Sequence, residues 1–299
     1  MTTSSMAFLI AGPTAAGKSR LALALAERHG GVVVNADAMQ VYRDLSVLTA
    51  RPSPEEEARV PHALFGHVDG ATACSVAAWL LDAQTALAAA QEAGRVPVVV
   101  GGTGLYLAAL TEGLSPVPPI PDEVRARWRA RQAEEPAEAL HAALARRDPV
   151  MARRLRPSDP QRIVRALEVL EATGRSLAAW QEERVPPVLP PGPGVRRIVL
   201  SPDRNDLRLR IARRFETMVA AGAVEEAEAL AARGLDPGLP VMKAIGVREL
   251  ASFAAGRLTR AEAVERAVTA SRRYAKRQET WFRHRFADWE RLGTADERA

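Results

Sequence analysis

The sequence predicts an α/β fold: a parallel sheet with helices on both faces, interrupted by an inserted all-helical domain. Three observations lead to it. Short apolar runs at residues 7–11, 31–37 and 96–100 each pass into a glycine- or carboxylate-bearing turn and on into the next segment, as buried parallel strands do. The first turn reads Gly12-Pro13-Thr14-Ala15-Ala16-Gly17-Lys18-Ser19, a G-x-x-x-x-G-K-S P-loop between strand and helix. Two proline-rich stretches, 115–121 and 186–194, bracket an Arg-rich segment with helical character and no convincing strand; such stretches act as stiff linkers. A P-loop NTPase-like core is therefore expected over residues 1–121 and 195–299, with the helical insertion over 122–194.

The P-loop carries its own chemistry. Its glycines let backbone N–H groups close around phosphate oxygens, and the N-terminus of the helix that follows, expected over residues 21–28, adds partial positive charge. Lys18 contributes a point charge and Ser19 a hydroxyl suited to Mg²⁺. A ligand bearing a di- or triphosphate is implied. The second strand ends at Asp37, on the sheet edge where ligands bind in such folds. Asp37 either caps the next turn or acts as a Mg²⁺ ligand or general base.

The run Glu55-Glu56-Glu57 reads as a surface excursion ended by Pro61-His62, and neither His62 nor His67 falls in a metal-ligand pattern. Ser75 caps a helix over 76–93 with Trp79, Leu80, Ala83 and Leu87 on one face. After the third strand come Gly101-Gly102-Thr103-Gly104. They form either a plain strand-to-helix turn or a close backbone approach to a ligand, with the Thr103 hydroxyl at the same edge.

Arg125, Arg127, Arg129 and Arg131 open the insertion. Asp159-Pro160 starts a helix carrying Gln161, Arg162, Ile163, Val164 and Arg165, with Ile163, Leu167 and Leu170 as apolar partners. Strand character returns at 195–201, followed by a helix over 206–221. There Arg210 and Arg214 share a face, as a solvated pair or as a phosphate clamp. Lys243 and Arg248 flank Gly246. The last helix, about 259–288, sets an apolar stripe (Val264, Val268, Ala275, Phe282, Phe286) against a basic one (Arg273, Lys276, Arg277, Thr280, Arg283), with Trp281 on its flank. The basic stripe suits an RNA backbone beside an unstacked base, or is a solvated face.

Composition bounds the alternatives. The chain has 299 residues, 47% of them hydrophobic, enough for a substantial core. A single cysteine, Cys74, excludes an internal disulfide framework and any Cys-based zinc site. No apolar run is long enough to span a membrane, and residues 1–6 lack the basic start of a secretory leader. A cytoplasmic location is expected, with no membrane partner. No coiled-coil pattern demands a dimer, so a monomer is expected. The net charge is +5, and only three of 41 basic residues are lysines: Lys18, Lys243 and Lys276. One is the P-loop lysine, which marks the other two as candidates for chemistry that a guanidinium fork does not replace.

Taken together, GPTAAGKS at 12–19, NADAMQVYRDL at 35–45, TARP at 49–52, GGTGLY at 101–106, DPQRIVRALEV at 159–169, KAIGVREL at 243–250 and AKRQETWFR at 275–283 resemble the tRNA dimethylallyltransferases, also called tRNA isopentenyltransferases. They stand in that family's order and cover almost the whole chain. The resemblance implies transfer of a dimethylallyl group from dimethylallyl diphosphate to N6 of the adenosine immediately 3′ of the anticodon, in tRNAs reading codons that begin with U. Mg²⁺ assists. It implies that Asp37 is the general base and that Thr103 bonds near the bridging oxygen of the diphosphate. Lys18, Ser19 with Mg²⁺, Arg125 and Arg214 neutralise the leaving group. Contacts to tRNA are implied for Asp37, Ala38, Met39, Gln40, Thr103, Arg125, Gln161, Arg162, Ile163, Val164, Arg165, Lys243, Arg248, Lys276, Arg277, Gln278, Thr280, Trp281 and Arg283, with the insertion gripping the anticodon stem-loop. The chain departs from the family pattern at Ala38, usually Ser, at Leu48, commonly Gly, and at Val247, often aromatic. The rival readings are a P-loop kinase acting on a small molecule or nucleoside, and a non-catalytic RNA-binding protein.

Overall fold

The structure, a computed structural model, describes residues 6–293. Residues 1–5 of the N-terminal stretch and 294–299 of the expected core lie outside the described residues. The chain divides into two compact units, residues 1–111 with 189–299, and residues 112–188. In chain order the elements are β1 (Ala7–Ala11), α1 (Lys18–His29), β2 (Gly31–Asn35), α2 (Pro54–Arg59), β3 (His62–Ala63), α3 (Val76–Glu92), β4 (Val96–Gly101) and α4 (Gly104–Glu112). The helical unit carries α5 (Asp122–Glu134), α6 (Ala137–Arg147), α7 (Pro149–Arg154), α8 (Pro160–Thr173) and α9 (Leu177–Trp180). The chain then adds β5 (Val195–Leu200), α10 (Arg204–Ala220), α11 (Ala223–Ala232), a short 3-10 turn at Val241–Lys243, α12 (Val247–Ala254), α13 (Arg260–Arg285) and β6 (Glu290–Leu292).

The larger unit is a parallel sheet of six strands in the order β3-β2-β4-β1-β5-β6, with helices on both faces as expected. Strand alternation sends Phe8, Ile10, Val33, Val98, Val100, Ile198 and Leu200 to one face, where they pack with Leu21, Leu23 and Leu25 of α1. Trp79 of α3 is fully buried and donates from its indole to the Asn35 carbonyl at 3.0 Å. The C-terminal ends of β1, β2 and β4 are neighbours, so the P-loop, Asp37 and the Gly101–Gly104 turn emerge along one edge. Strands β3 and β6 have two and three residues, too few for an alternating pattern. The acidic excursion holds a helix of its own, α2, closed by a capping box between Ser53 and Glu56 with Pro54 in its first turn. Among the described residues, no helix is long and apolar enough to cross a membrane.

The helical unit has a separate core in which Trp128, Leu140, Leu144, Ile163, Leu167 and Val169 are buried. It begins before the first proline-rich stretch, at residue 112 where 122 was expected, and ends within the second, at 188 where 194 was expected. Ile120 is buried in this core and Val117 packs against it. The Val185 N–H donates to the Leu114 carbonyl at 3.0 Å. The stretch read as a linker is thus packed into the insertion by its own apolar residues.

Candidate active site

The P-loop leaves β1 at Gly12. A Cβ there would lie 3.1 Å from both Cβ and O of Leu200, so the turn has room only for glycine unless β5 gives way. Gly17, at φ 93°, begins α1, and Ala15 also takes the left-handed region at φ 62°. The Lys18 ammonium donates to the Pro13 carbonyl at 2.8 Å. Burial lowers its pKa to about 8; the charge of Asp37 opposes this shift and that of Arg214 adds to it.

Asp37 sits one turn beyond β2. Buried Asn35 fixes that turn, accepting from the Asp37 N–H at 2.8 Å and donating to the Asp37 and Leu64 carbonyls. One Asp37 oxygen accepts from the Met39 N–H at 2.9 Å, so the residue does cap its turn. It also faces the cavity shared with Lys18, Ser19 and Arg214. Thr103 Oγ1 accepts from the Ala38 N–H at 2.9 Å, and the Thr103 N–H donates to the Ala36 carbonyl at 3.3 Å. These bonds bring the strand-end turns of β2 and β4 together.

The glycines around Thr103 serve protein packing. A Cβ on Gly101 would fall 2.0 Å from the Ala36 carbonyl oxygen, one on Gly102 2.3 Å from Gln278 Nε2, and one on Gly104 2.3 Å from the Trp281 ring. The turn thus approaches the neighbouring turn and α13 closely. Gln278 is 5% exposed; it accepts from the Thr14 N–H at 3.0 Å and donates to the Gly102 carbonyl at 2.9 Å. It braces the P-loop against the glycine turn and does not belong to the exposed basic stripe. Tyr274, one helical turn earlier, lines the cavity, with the Arg277 guanidinium carbon 5.6 Å from its ring centre. Burial, with the Asp37 charge, raises its phenol pKa. Sequence reading passed over Tyr274. The available signal was a polar residue, Gln278, in register with buried Ala275 and Phe282.

Opposite stands α10. It presents Ile211, Arg214, Phe215 and Met218 to a cavity of about 340 Å³, while Arg210 is exposed, so the two arginines do not form a clamp. Burial lowers the pKa of Arg214, with Asp37 opposing; its guanidinium donates to the Thr49 carbonyl at 3.4 Å. Gln40 donates to the Thr49 and Ala50 carbonyls at 3.0 and 2.9 Å. The Glu226 carboxylate accepts three successive N–H groups, from Ser46, Val47 and Leu48, and so shapes this wall. Leu48 packs onto Gly246: its Cδ2 lies 2.7 Å from where a Cβ would stand there.

Other expected RNA-facing positions separate by burial. Lys243, Arg248, Lys276, Arg277, Thr280 and Arg283 are exposed, and Trp281 is half-buried. Lys243, Ala38, Met39 and Arg277 also line the cavity. Along α8, Gln161 and Arg162 are exposed and Arg165 half-buried, but the helical turn carries Ile163 and Val164 into the unit's core. Those two are packing residues. Val247 is likewise buried, at the start of α12. Arg125 belongs to the helical unit, where it pairs with Asp122 at 3.8 Å.

A family model described as IPP transferase matches residues 40–285, and one described as isopentenyl transferase matches residues 5–61. The tRNA dimethylallyltransferase of Nitrobacter hamburgensis is 58% identical, over 95% of this chain and 89% of its own. A solved tRNA isopentenylpyrophosphate transferase from Bacillus halodurans is 34% identical with a TM-score of 0.67, covering 96% of this chain and 89% of that one. A eukaryotic dimethylallyltransferase described as acting on tRNA is 26% identical with a TM-score of 0.82, covering 97% and 74%. With a model spanning most of its length and relatives aligned along nearly all of it, the chain belongs to the IPP transferase family.

Proposed function

We propose that this chain transfers a dimethylallyl group from dimethylallyl diphosphate to tRNA, at N6 of the adenosine immediately 3′ of the anticodon in tRNAs reading codons that begin with U. The observation that carries the reading is one cavity where Lys18 and Arg214 stand beside a carboxylate, Asp37, and next to the apolar side chains of Ile211, Phe215 and Met218. Cations suit a diphosphate, the apolar wall suits a short carbon chain, and the carboxylate suits an amine proton.

In this reaction the C1–O bond of the donor breaks, with its electron pair leaving on the diphosphate. A C1–N6 bond forms, and the N6 proton passes to Asp37. Exocyclic adenine nitrogen is a weak nucleophile, so orientation and proton removal matter more than covalent catalysis. Lys18 and Arg214 stabilise charge where it develops, on the departing oxygens. Ser19 lines the same cavity, and no cluster of three or more His, Cys, Asp or Glu able to hold a metal occurs among the described residues. That donor set fits Mg²⁺ held mainly by phosphate oxygens and water, with Ser19 as protein ligand. Bound there, Mg²⁺ supplies charge neutralisation on the diphosphate. The target base must leave its stack to reach the cavity. Arg125, Gln161, Arg162 and Arg165 of the helical unit, and Lys276, Arg277, Thr280 and Arg283 of α13, offer an RNA backbone its partners.

Incubation with radiolabelled dimethylallyl diphosphate and unmodified tRNA tests the reading. Label is expected in the RNA, and Asp37→Ala is expected to lower turnover by about 10² or more while tRNA binding is kept. Phosphorylation of a nucleoside by ATP, with no label reaching RNA, would establish the kinase reading instead.

A further inference from the structure

Glu226 does not line the cavity, yet it holds a turn whose residues Leu48 and Thr49 do. It stands in the first turn of α11, where the helix N-terminus favours a negative charge. Its Oε1 accepts from the N–H groups of Ser46 and Val47 at 2.5 and 2.9 Å, and its Oε2 from that of Leu48 at 2.8 Å. Bonds to an ionised acceptor are the stronger kind. The turn also closes on itself. The Ala50 N–H donates to the Val47 carbonyl and the Arg51 N–H to the Ser46 carbonyl, both at 3.0 Å, and the Thr49 hydroxyl donates to the Leu45 carbonyl at 2.8 Å. Ala50 takes the left-handed region, at φ 48°, a conformation that its surroundings must hold. The turn then meets α10 at two adjacent residues. Leu48 and Phe215 both stand over Gly246, 2.7 and 3.1 Å from where its Cβ would lie. The Thr49 carbonyl accepts from the Arg214 guanidinium at 3.4 Å, and among the described residues that guanidinium makes no ion pair.

We propose that Glu226 is a positioning residue for donor binding: by holding the backbone of residues 46–48 from outside the cavity, it fixes the Thr49 carbonyl that orients Arg214 toward the diphosphate. The inference rests on the prenyl-transfer reading above. An arginine already held in one geometry loses less side-chain freedom on binding phosphate oxygens than one free to sample its rotamers. Gln40 supports the same carbonyl at 3.0 Å, but it reaches only Thr49 and Ala50 and leaves the three preceding N–H groups to Glu226. Without the carboxylate those N–H groups lose their acceptor and the turn is freed. The ligand itself must then order Arg214, at a cost in affinity.

The test is a double-mutant cycle of Glu226→Ala and Arg214→Ala, read as the Kd of dimethylallyl diphosphate by calorimetry, with Tm confirming the fold of each variant. Glu226→Ala is expected to weaken donor binding about tenfold, with tRNA Kd within about threefold of the parent. The double variant is expected to bind the donor within about threefold of Arg214→Ala alone, because the carboxylate acts through that guanidinium. Glu226→Gln keeps one acceptor oxygen, enough for the Ser46 and Val47 N–H groups, and is expected to fall between the parent and the Ala variant. If the Ala variant does not fold, the cycle is run with Glu226→Gln under the same expectation of non-additivity. A donor Kd for Glu226→Ala within about twofold of the parent, or losses that multiply in the double variant, would overturn the assignment. Absence of label transfer from dimethylallyl diphosphate to tRNA by the unaltered protein would instead overturn the prenyl-transfer reading, and this assignment with it.

Discussion

Lys18 and Arg214 approach one cavity from α1 and α10, and both pay desolvation there. For Lys18 the result is a pKa of about 8 against an ordinary 10.5. A diphosphate binds the ammonium, not the amine. Donor affinity is therefore expected to hold below about pH 8 and to fall as pH rises through that value. Measuring donor Kd against pH by calorimetry checks this; constant affinity to about pH 9.5 would show that Lys18 stays charged. The stability of the ligand-free protein changes in the opposite sense. The unfolded chain holds this proton up to the ordinary value while the folded one releases it near 8, so the Lys18 contribution rises with pH between the two. Lys18 and Ser19 stand out in the sequence through the P-loop spacing, and Asp37 through its place at the end of the second strand. Tyr274 does not. The bracing role of Gln278 depends on a glycine turn 176 residues away, and no local pattern records that neighbour.

One helix, α13, presents two chemically different faces. Its inner face sets Tyr274, Gln278 and Trp281, spaced by four and three residues, against the cavity and the glycine turn. Its outer face exposes Arg273, Lys276, Thr280 and Arg283, and Arg277 is exposed at the rim of the cavity. Helical periodicity makes the outer stripe visible in the sequence, whereas Gln278, a tRNA contact by the family resemblance, is buried. The glycine turn is a related case: the need for glycine is visible in the sequence, while the neighbours that impose it, Ala36, Gln278 and Trp281, are not. The outer stripe makes its own prediction. Arg277→Ala should weaken tRNA binding and reduce the slope of log K against log salt by about 0.7 to 0.9, the share of one phosphate contact. Filter binding across a salt series measures it. An unchanged slope would mean that Arg277 is solvated and meets no phosphate.

The division into two units has a consequence for how activity is distributed. Every residue lining the cavity belongs to the sheet unit. The helical unit has its own buried core, built on Trp128, Leu140, Ile163 and Leu167. Proline-rich composition marks both ends of the insertion, but the first edge lies earlier than expected because Val117 and Ile120 pack inward. The sheet unit also closes its own gap: the Leu189 N–H donates to the Leu110 carbonyl at 3.0 Å. Two chain ends held by one backbone hydrogen bond can be joined by a few residues, since consecutive Cα atoms lie about 3.8 Å apart. Replacing residues 112–188 with a short Gly-Ser bridge should therefore leave the sheet unit folded. The donor cavity should survive, with dimethylallyl diphosphate affinity within about threefold of the parent, because the lost residues contribute none of its lining. Binding of tRNA should fall at least tenfold, a loss of about 1.4 kcal/mol, since Arg125, Arg162 and Arg165 leave with the insertion, and turnover should fall with it. Calorimetry with the donor and filter binding with tRNA separate the two effects. Loss of donor affinity in a folded deletion variant would show that the helical unit helps to form the diphosphate site; full tRNA affinity would show that α13 and its neighbours hold the RNA without it.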